Sequence, residues 1–204
     1  MIKAAVLTLS MATFSLTSLL GAAQEHGHMP GNKHIPVTKT IHIPAMKTMK
    51  AEAPTKLIAV FEPTAGNITE GVVTFEKVKD GIMVSGKITG LTPGEHGFHV
   101  HQYGDLTADD GTSTGGHFNP MTQPHAGPED AHRHIGDLGN VTANEDGVAE
   151  FSFIDKKLEM NGTASIIGRG LIVHADRDDL TSQPTGAAGA RVGMAVIGIA
   201  KASE

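Results

Sequence analysis

The chain has 204 residues and a formal charge of −6, with no Lys/Arg cluster of the kind that grips a polyanion, which argues against nucleic-acid binding. It contains no cysteine, so neither an internal disulfide nor a cysteine-linked lipid anchor can form. Gly is abundant at 25 residues and aromatics make up 4%, a balance that suits short strands and tight turns better than long helices.

Residues 1–23 read as a signal peptide. Lys3 supplies the positive start, Ala4 to Leu20 the apolar stretch, and Gly21 and Ala23 the small residues before a cut after Ala23. A membrane anchor is the alternative. The run is short for that and is interrupted by Thr8, Ser10, Thr13, Ser15, Thr17 and Ser18. The expectation is export, periplasmic or extracellular, with no membrane attachment once the leader is removed.

Residues 24–55 read as a flexible His- and Met-containing extension. Pro30, Pro36, Pro44 and Pro54 punctuate it, and no sustained period is present. A mature chain beginning Gln24-Glu25-His26 would offer Cu(II) an amine, two backbone amides and an imidazole in a square plane, with His28 close by. The plainer reading is a linker whose histidines do nothing specific.

Residues 56–204 form the folded domain. Leu57 to Phe61 and Val72 to Phe75 are short apolar runs, and Ile82, Val84, Gly86 and Ile88 share one face of a third. Further strands are expected at 137–143, 147–154, 163–173 and 191–200, with a hairpin turn at Asn144-Glu145-Asp146-Gly147. Such spacing predicts an all-β, antiparallel sandwich or barrel. Two Gly-rich stretches, Gly104 to Gly136 and Ala175 to Ala190, are long aperiodic loops, which in a compact domain often carry function.

The chemistry gathers there. His99 and His101 flank Val100, so on a strand both rings point to one face. His117, His125, His134 and Asp137 follow within one loop, and His174 ends the apolar run Leu171-Ile172-Val173. Imidazoles suit zinc and copper, and a carboxylate can complete a tetrahedral zinc site. His96 reads as structural and His132 as exposed.

The strings Gly97-Phe98-His99-Val100-His101-Gln102-Tyr103-Gly104-Asp105, Gly116-His117-Phe118-Asn119-Pro120 and Arg133-His134-Ile135-Gly136-Asp137-Leu138-Gly139-Asn140 resemble the copper–zinc superoxide dismutase family. So do Ile167-Gly168-Arg169-Gly170-Leu171-Ile172-Val173-His174 and Gly189-Ala190-Arg191-Val192-Gly193, and the likeness runs from about Leu57 to Lys201. The resemblance implies an eight-stranded Greek-key barrel. It places copper on His99, His101, His117 and His174, and a structural zinc on His117, His125, His134 and Asp137. It further implies that superoxide is converted to dioxygen and hydrogen peroxide by Cu(II)/Cu(I) cycling, with His117 shared by both metals. Arg191 would guide the substrate, and Asp178 would link a copper ligand to a zinc ligand. An Arg133–Asp155 ion pair anchoring the zinc loop and a homodimer are also implied.

This chain departs from that pattern in two places. The family's disulfide positions fall near Asp110 or Gly111 and at Met194, so the staple is missing. The second loop is short and holds Arg177 but no Lys, which leaves steering to Arg191 with Arg177 as a helper. The main rival reading is a non-catalytic periplasmic copper-binding or copper-delivery protein on the same fold. A copper-only dismutase is the second, and the complete set His125, His134 and Asp137 argues against it.

Overall fold

The computed structural model describes residues 53–201. The leader at 1–23 and the candidate copper residues His26 and His28 lie outside the described residues. In β1 (Lys56–Pro63), Leu57, Ala59 and Phe61 are buried while Val60 and Glu62 face outward, the period of two that a half-buried strand requires. The same alternation buries Val73 and Phe75 in β2 (Glu70–Val78) and Ile82, Val84 and Ile88 in β3 (Gly81–Thr89). Then come β4 (Gly94–His101), β5 (Asp137–Ala143), β6 (Ala149–Asp155), β7 (Gly170–His174) and β8 (Arg191–Val196).

All ladders are antiparallel, in the order β5-β4-β7-β8-β1-β2-β3-β6. The crossings β4–β7, β8–β1 and β3–β6 between non-consecutive strands make this a Greek-key arrangement. The end strands β5 and β6 pack together, so the barrel nearly closes. Phe98 sits at its centre, with ring centroids 6.4 Å from Phe61 and 5.3 Å from Phe151. Closure leaves little free edge to template aggregation.

Two expected strands are shorter than their apolar content suggests. The strand expected over 163–173 begins only at Gly170, because the preceding residues turn back on themselves through Ile166 N–H to Glu159 O (3.0 Å) and Arg169 N–H to Ile166 O (3.1 Å). The strand expected over 191–200 breaks at Ile197, whose N–H donates to Arg169 O (2.9 Å). What remains is a two-residue β9 (Gly198–Ile199) paired with β1. The hairpin turn forms as expected. Asn144 Oδ1 accepts from Asp146 and Val148 N–H, each at 3.0 Å, and Gly147 takes φ 72°, which favours glycine.

Both long loops are fastened to β4. Val100 exchanges backbone bonds with Gly136 and Phe118 of the first loop, and Gly97 N–H donates to Asp176 O of the second (2.9 Å). Two register shifts then aim the side chains. One between Gly97 and His99 sets His99 opposite Asp137, and the other between Val173 and His174 sets His174 opposite Arg191.

Candidate metal centre

His99, His101, His117, His125, His134, Asp137 and His174 are all buried. They form two groups, His99/His101/His117/His174 and His117/His125/His134/Asp137, and within each group one ligand atom per residue lies within 4.8 Å of all the others. His117 belongs to both. Its ring lies 3.9 Å from that of His99, nearly stacked, and 5.4 and 5.6 Å from those of His125 and His134.

The hydrogen bonds explain which nitrogen each ring offers. His99 Nε2 is 2.7 Å from Asp178 Oδ2, His101 Nδ1 is 2.8 Å from Gly115 O, and His174 Nδ1 is 3.2 Å from Gly189 O. An acceptor on one nitrogen fixes the proton there and leaves a lone pair on the other. Those other atoms, His99 Nδ1, His101 Nε2 and His174 Nε2, together with His117 Nε2, are buried with no hydrogen-bond partner. A buried polar atom left unsatisfied costs about 1–3 kcal/mol. Four such lone pairs in one pocket fit a cation, and four imidazoles without a thiolate fit copper other than a blue electron-transfer centre.

The second group converges on one oxygen. Asp137 Oδ1 lies 2.7 Å from His117 Nδ1, 3.0 Å from His125 Nδ1 and 3.1 Å from His134 Nδ1. The His125 contact lacks hydrogen-bond geometry, so that nitrogen is also unsatisfied. Asp137 Oδ2 is held apart by the N–H groups of His134 (3.0 Å) and Ala126 (3.2 Å). Three imidazole nitrogens and one carboxylate oxygen make a four-donor set with the chemistry of structural zinc sites.

Electrostatics follow from burial and neighbours. Burial, reinforced by nearby histidines, pushes His101 well below the usual range, His117 down to about 4 and His174 down to about 3. These rings therefore stay neutral and able to ligate at ordinary pH. His125 goes the other way: burial disfavours its charge, but Asp137 and Asp178 raise it to about 9. Asp137 and Asp178 are held below the carboxylate range, against burial, by their histidine partners.

Around these groups lies a supporting layer. Asp178 joins the two, with Oδ2 on His99 and Oδ1 2.9 Å from His125 Nε2. Gly186 makes room for that contact, since a Cβ there would sit 2.6 Å from His125 Nε2 and overlap the Asp178 carboxylate. Half-buried Arg191 donates to Gly111 O, to Thr114 Oγ1 (2.9 Å) and to Gly115 O (2.7 Å), beside the Gly115 carbonyl that holds His101. Arg133 and Asp155 form a buried ion pair. His96 is buried between His174 O (2.7 Å) and Thr92 O (2.8 Å), while His132 is exposed. Arg177, expected to help steer, pairs with Glu95 at 2.7 Å, so its charge is largely offset. Sequence reasoning missed Asn140 and Gln183. Asn140 bonds both backbone groups of Asp178, accepting at 2.7 Å and donating at 2.9 Å, a role that its place at the end of the Arg133–Asn140 string does not reveal.

An antiparallel β-barrel carrying two adjacent four-ligand groups with one common histidine defines a metalloprotein built for a paired metal centre. The family model described as copper/zinc superoxide dismutase matches residues 69–197. An extracellular copper–zinc superoxide dismutase of Brugia pahangi is 43% identical over 87% of this chain and 90% of that protein. A copper–zinc superoxide dismutase of Mesembryanthemum crystallinum is 48% identical over 71% of this chain and 95% of its own. The crystal structure of the clock protein EA4 superposes with a TM-score of 0.67 at 43% identity, covering 72% of this chain and 96% of that one. The chain belongs to the copper/zinc superoxide dismutase family, and it is an enzyme whose cofactors are copper and zinc.

Proposed function

We propose that the chain converts two superoxide anions and two protons into dioxygen and hydrogen peroxide. Copper would be held by His99, His101, His117 and His174, and zinc by His117, His125, His134 and Asp137. Bound copper supplies a one-electron Cu(II)/Cu(I) couple, and zinc supplies fixed positive charge and a structural cross-link. The observation that carries this reading is the set of buried, unsatisfied nitrogens converging on His117 from both sides.

The chain's own residues orient and exclude. Asp178, the Gly115 carbonyl and the Gly189 carbonyl fix the ring tautomers, so every copper-facing nitrogen presents a lone pair. Asp137 engages His117 at Nδ1, leaving Nε2 as the atom where that ring can hold or release a proton. Arg191 supplies local positive charge on a chain of net charge −6, and a cation so placed raises anion on-rates roughly tenfold to a thousandfold. Its presence beside a complete copper-ligand set favours a catalyst over a copper carrier. The test is superoxide consumption by the purified chain with metal analysis alongside. Catalysis scaling with copper content supports the reading, whereas a chain that binds copper without consuming superoxide refutes it.

The same proposal extends to the rest of the chain. Residues 1–23 direct export and 56–204 form the dismutase domain; the Brugia pahangi relative, named extracellular, supports export. His26 and His28 form an accessory copper site in the 24–55 extension. Deleting residues 24–50 should lower loading at limiting copper, and unchanged loading removes that site. A homodimer belongs to the same proposal. Sedimentation of the purified chain tests this, and a monomer mass at micromolar concentration would refute it.

A further inference from the structure

Gln183 lies in the second loop, 58 residues from His125, yet its side-chain amide meets that residue's main chain with both ends. Its Oε1 accepts from His125 N–H at 2.9 Å, and its Nε2 donates to His125 O at 2.8 Å. The same amide nitrogen also donates to Thr181 O at 3.2 Å, which ties it back to its own loop. A primary amide gripping both backbone groups of one residue acts as a short piece of β-ladder. It fixes the position of His125 and its orientation together.

From this geometry we infer that Gln183 is a positioning residue for the zinc site: it sets the His125 backbone so that Nδ1 faces Asp137. The inference rests on the zinc assignment made above. His125 is the ligand most in need of such help. His117 is paired through the backbone with His101, and His134 is bound directly by Asp137, whereas His125 sits mid-loop between them. Asp178, on the same second loop, fixes the other end of the His125 ring through Nε2. The second loop thus holds His125 at two points, ring and main chain, and also holds His99 through Asp178. Asn140 completes a reciprocal arrangement. It belongs to β5, three residues after Asp137, and grips the backbone of Asp178, while Gln183 grips the backbone of the first loop. In a chain without a disulfide, these two amides fasten the second loop to β5 and to the first loop across the site.

The experiment uses the full chain with Co(II) in place of zinc, read by its visible absorption, and a parallel sample with zinc, read by the rate of transfer to a chromogenic chelator. Gln183→Leu keeps the bulk and removes both bonds, and Gln183→Glu keeps the acceptor but loses the donor. Thr181→Ala alters the same loop and leaves the amide grip in place. Zinc transfer is expected to accelerate by about tenfold or more in Gln183→Leu and by less in Gln183→Glu, with a changed Co(II) band shape in both. Thr181→Ala should match the parent chain. Parent-like zinc release and spectrum in Gln183→Leu would overturn the inference, as would equal acceleration in Thr181→Ala. A parent chain that gives no tetrahedral Co(II) spectrum would instead overturn the zinc assignment, and the role of Gln183 with it.

Discussion

His99 and Asp178 meet at 2.7 Å, Nε2 to Oδ2, with both side chains fully buried. A carboxylate in that position fixes the proton on Nε2 and turns Nδ1 toward the other three imidazoles. Its second oxygen does the same service for His125, so one residue sets a ring on each side of the site.

Replacing Asp178 with Ala should therefore disturb both metals. We expect zinc affinity to fall by roughly ten- to a hundredfold, with a perturbed copper spectrum, since supporting partners of ligands typically carry that much. Competition with a chelator measures it, and unaltered affinity for both metals would contradict the bridging role.

Arg191 should matter for rate more than for metal content. In Arg191→Ala the superoxide rate is expected to fall about tenfold or more and to lose much of its salt dependence, while Arg191→Lys retains that dependence. Because Arg177 is paired with Glu95, an Arg177→Ala change should alter the rate little. Stopped-flow decay of superoxide at several ionic strengths separates these outcomes.

The metal-free chain should be most stable near pH 6.5. Burial holds His174 at about 3 and His117 at about 4, below the ordinary 6.5, so their stabilisation is complete above pH 6.5 and is lost as pH falls toward 4 and 3. For His125, burial opposes charge but the two aspartates raise it to about 9, so its contribution is complete below pH 6.5 and lost as pH rises through 9. Thermal unfolding across that range should give a maximum with two falling limbs. His125→Gln should remove the alkaline one.

How much of this was legible in the sequence depended on repetition of simple periods. β1, β2 and β3 announce themselves by alternation, and His99 and His101 by their spacing on a strand, but strand ends did not. The runs at 163–173 and 191–200 are rich in apolar residues, and their ladders are cut short by backbone bonds that no local pattern shows, from Ile166 to Glu159 and Arg169 to Ile166 in the first and from Ile197 to Arg169 in the second. The same limit hid Asn140 and Gln183. Each acts through backbone groups of a residue 38 or 58 positions away, and no local pattern encodes such a partner.

The first loop has no disulfide, and other contacts occupy its place. Gly111 O accepts from Arg191, Ala65 N–H donates to Asp109 O (2.8 Å), and Thr64 Oγ1 donates to Arg191 O (2.7 Å). Losing such a staple typically costs about 2–5 kcal/mol, so metal binding should carry more of the ordering here. Loading both metals should raise the unfolding midpoint by about 10 °C or more. An apo midpoint close to that of the loaded chain would contradict this.

Arg133 and Asp155 are buried together, and Asp155 also accepts from the N–H groups of Lys157 (2.7 Å) and Leu158 (2.9 Å). Asp155→Ala would leave a guanidinium without its counter-charge, and we expect a loss of about 3–5 kcal/mol by denaturant unfolding. A loss below 1 kcal/mol would mean that the pair does not anchor the loop.

If a single imidazole, that of His117, faces two metals at once, their unpaired electrons must interact through it. Electron paramagnetic resonance of the chain holding Cu(II) in one site and Co(II) in the other should then show a copper signal strongly altered from that of the zinc-containing form. An unaltered copper signal, with both sites demonstrably filled, would mean that His117 does not join them.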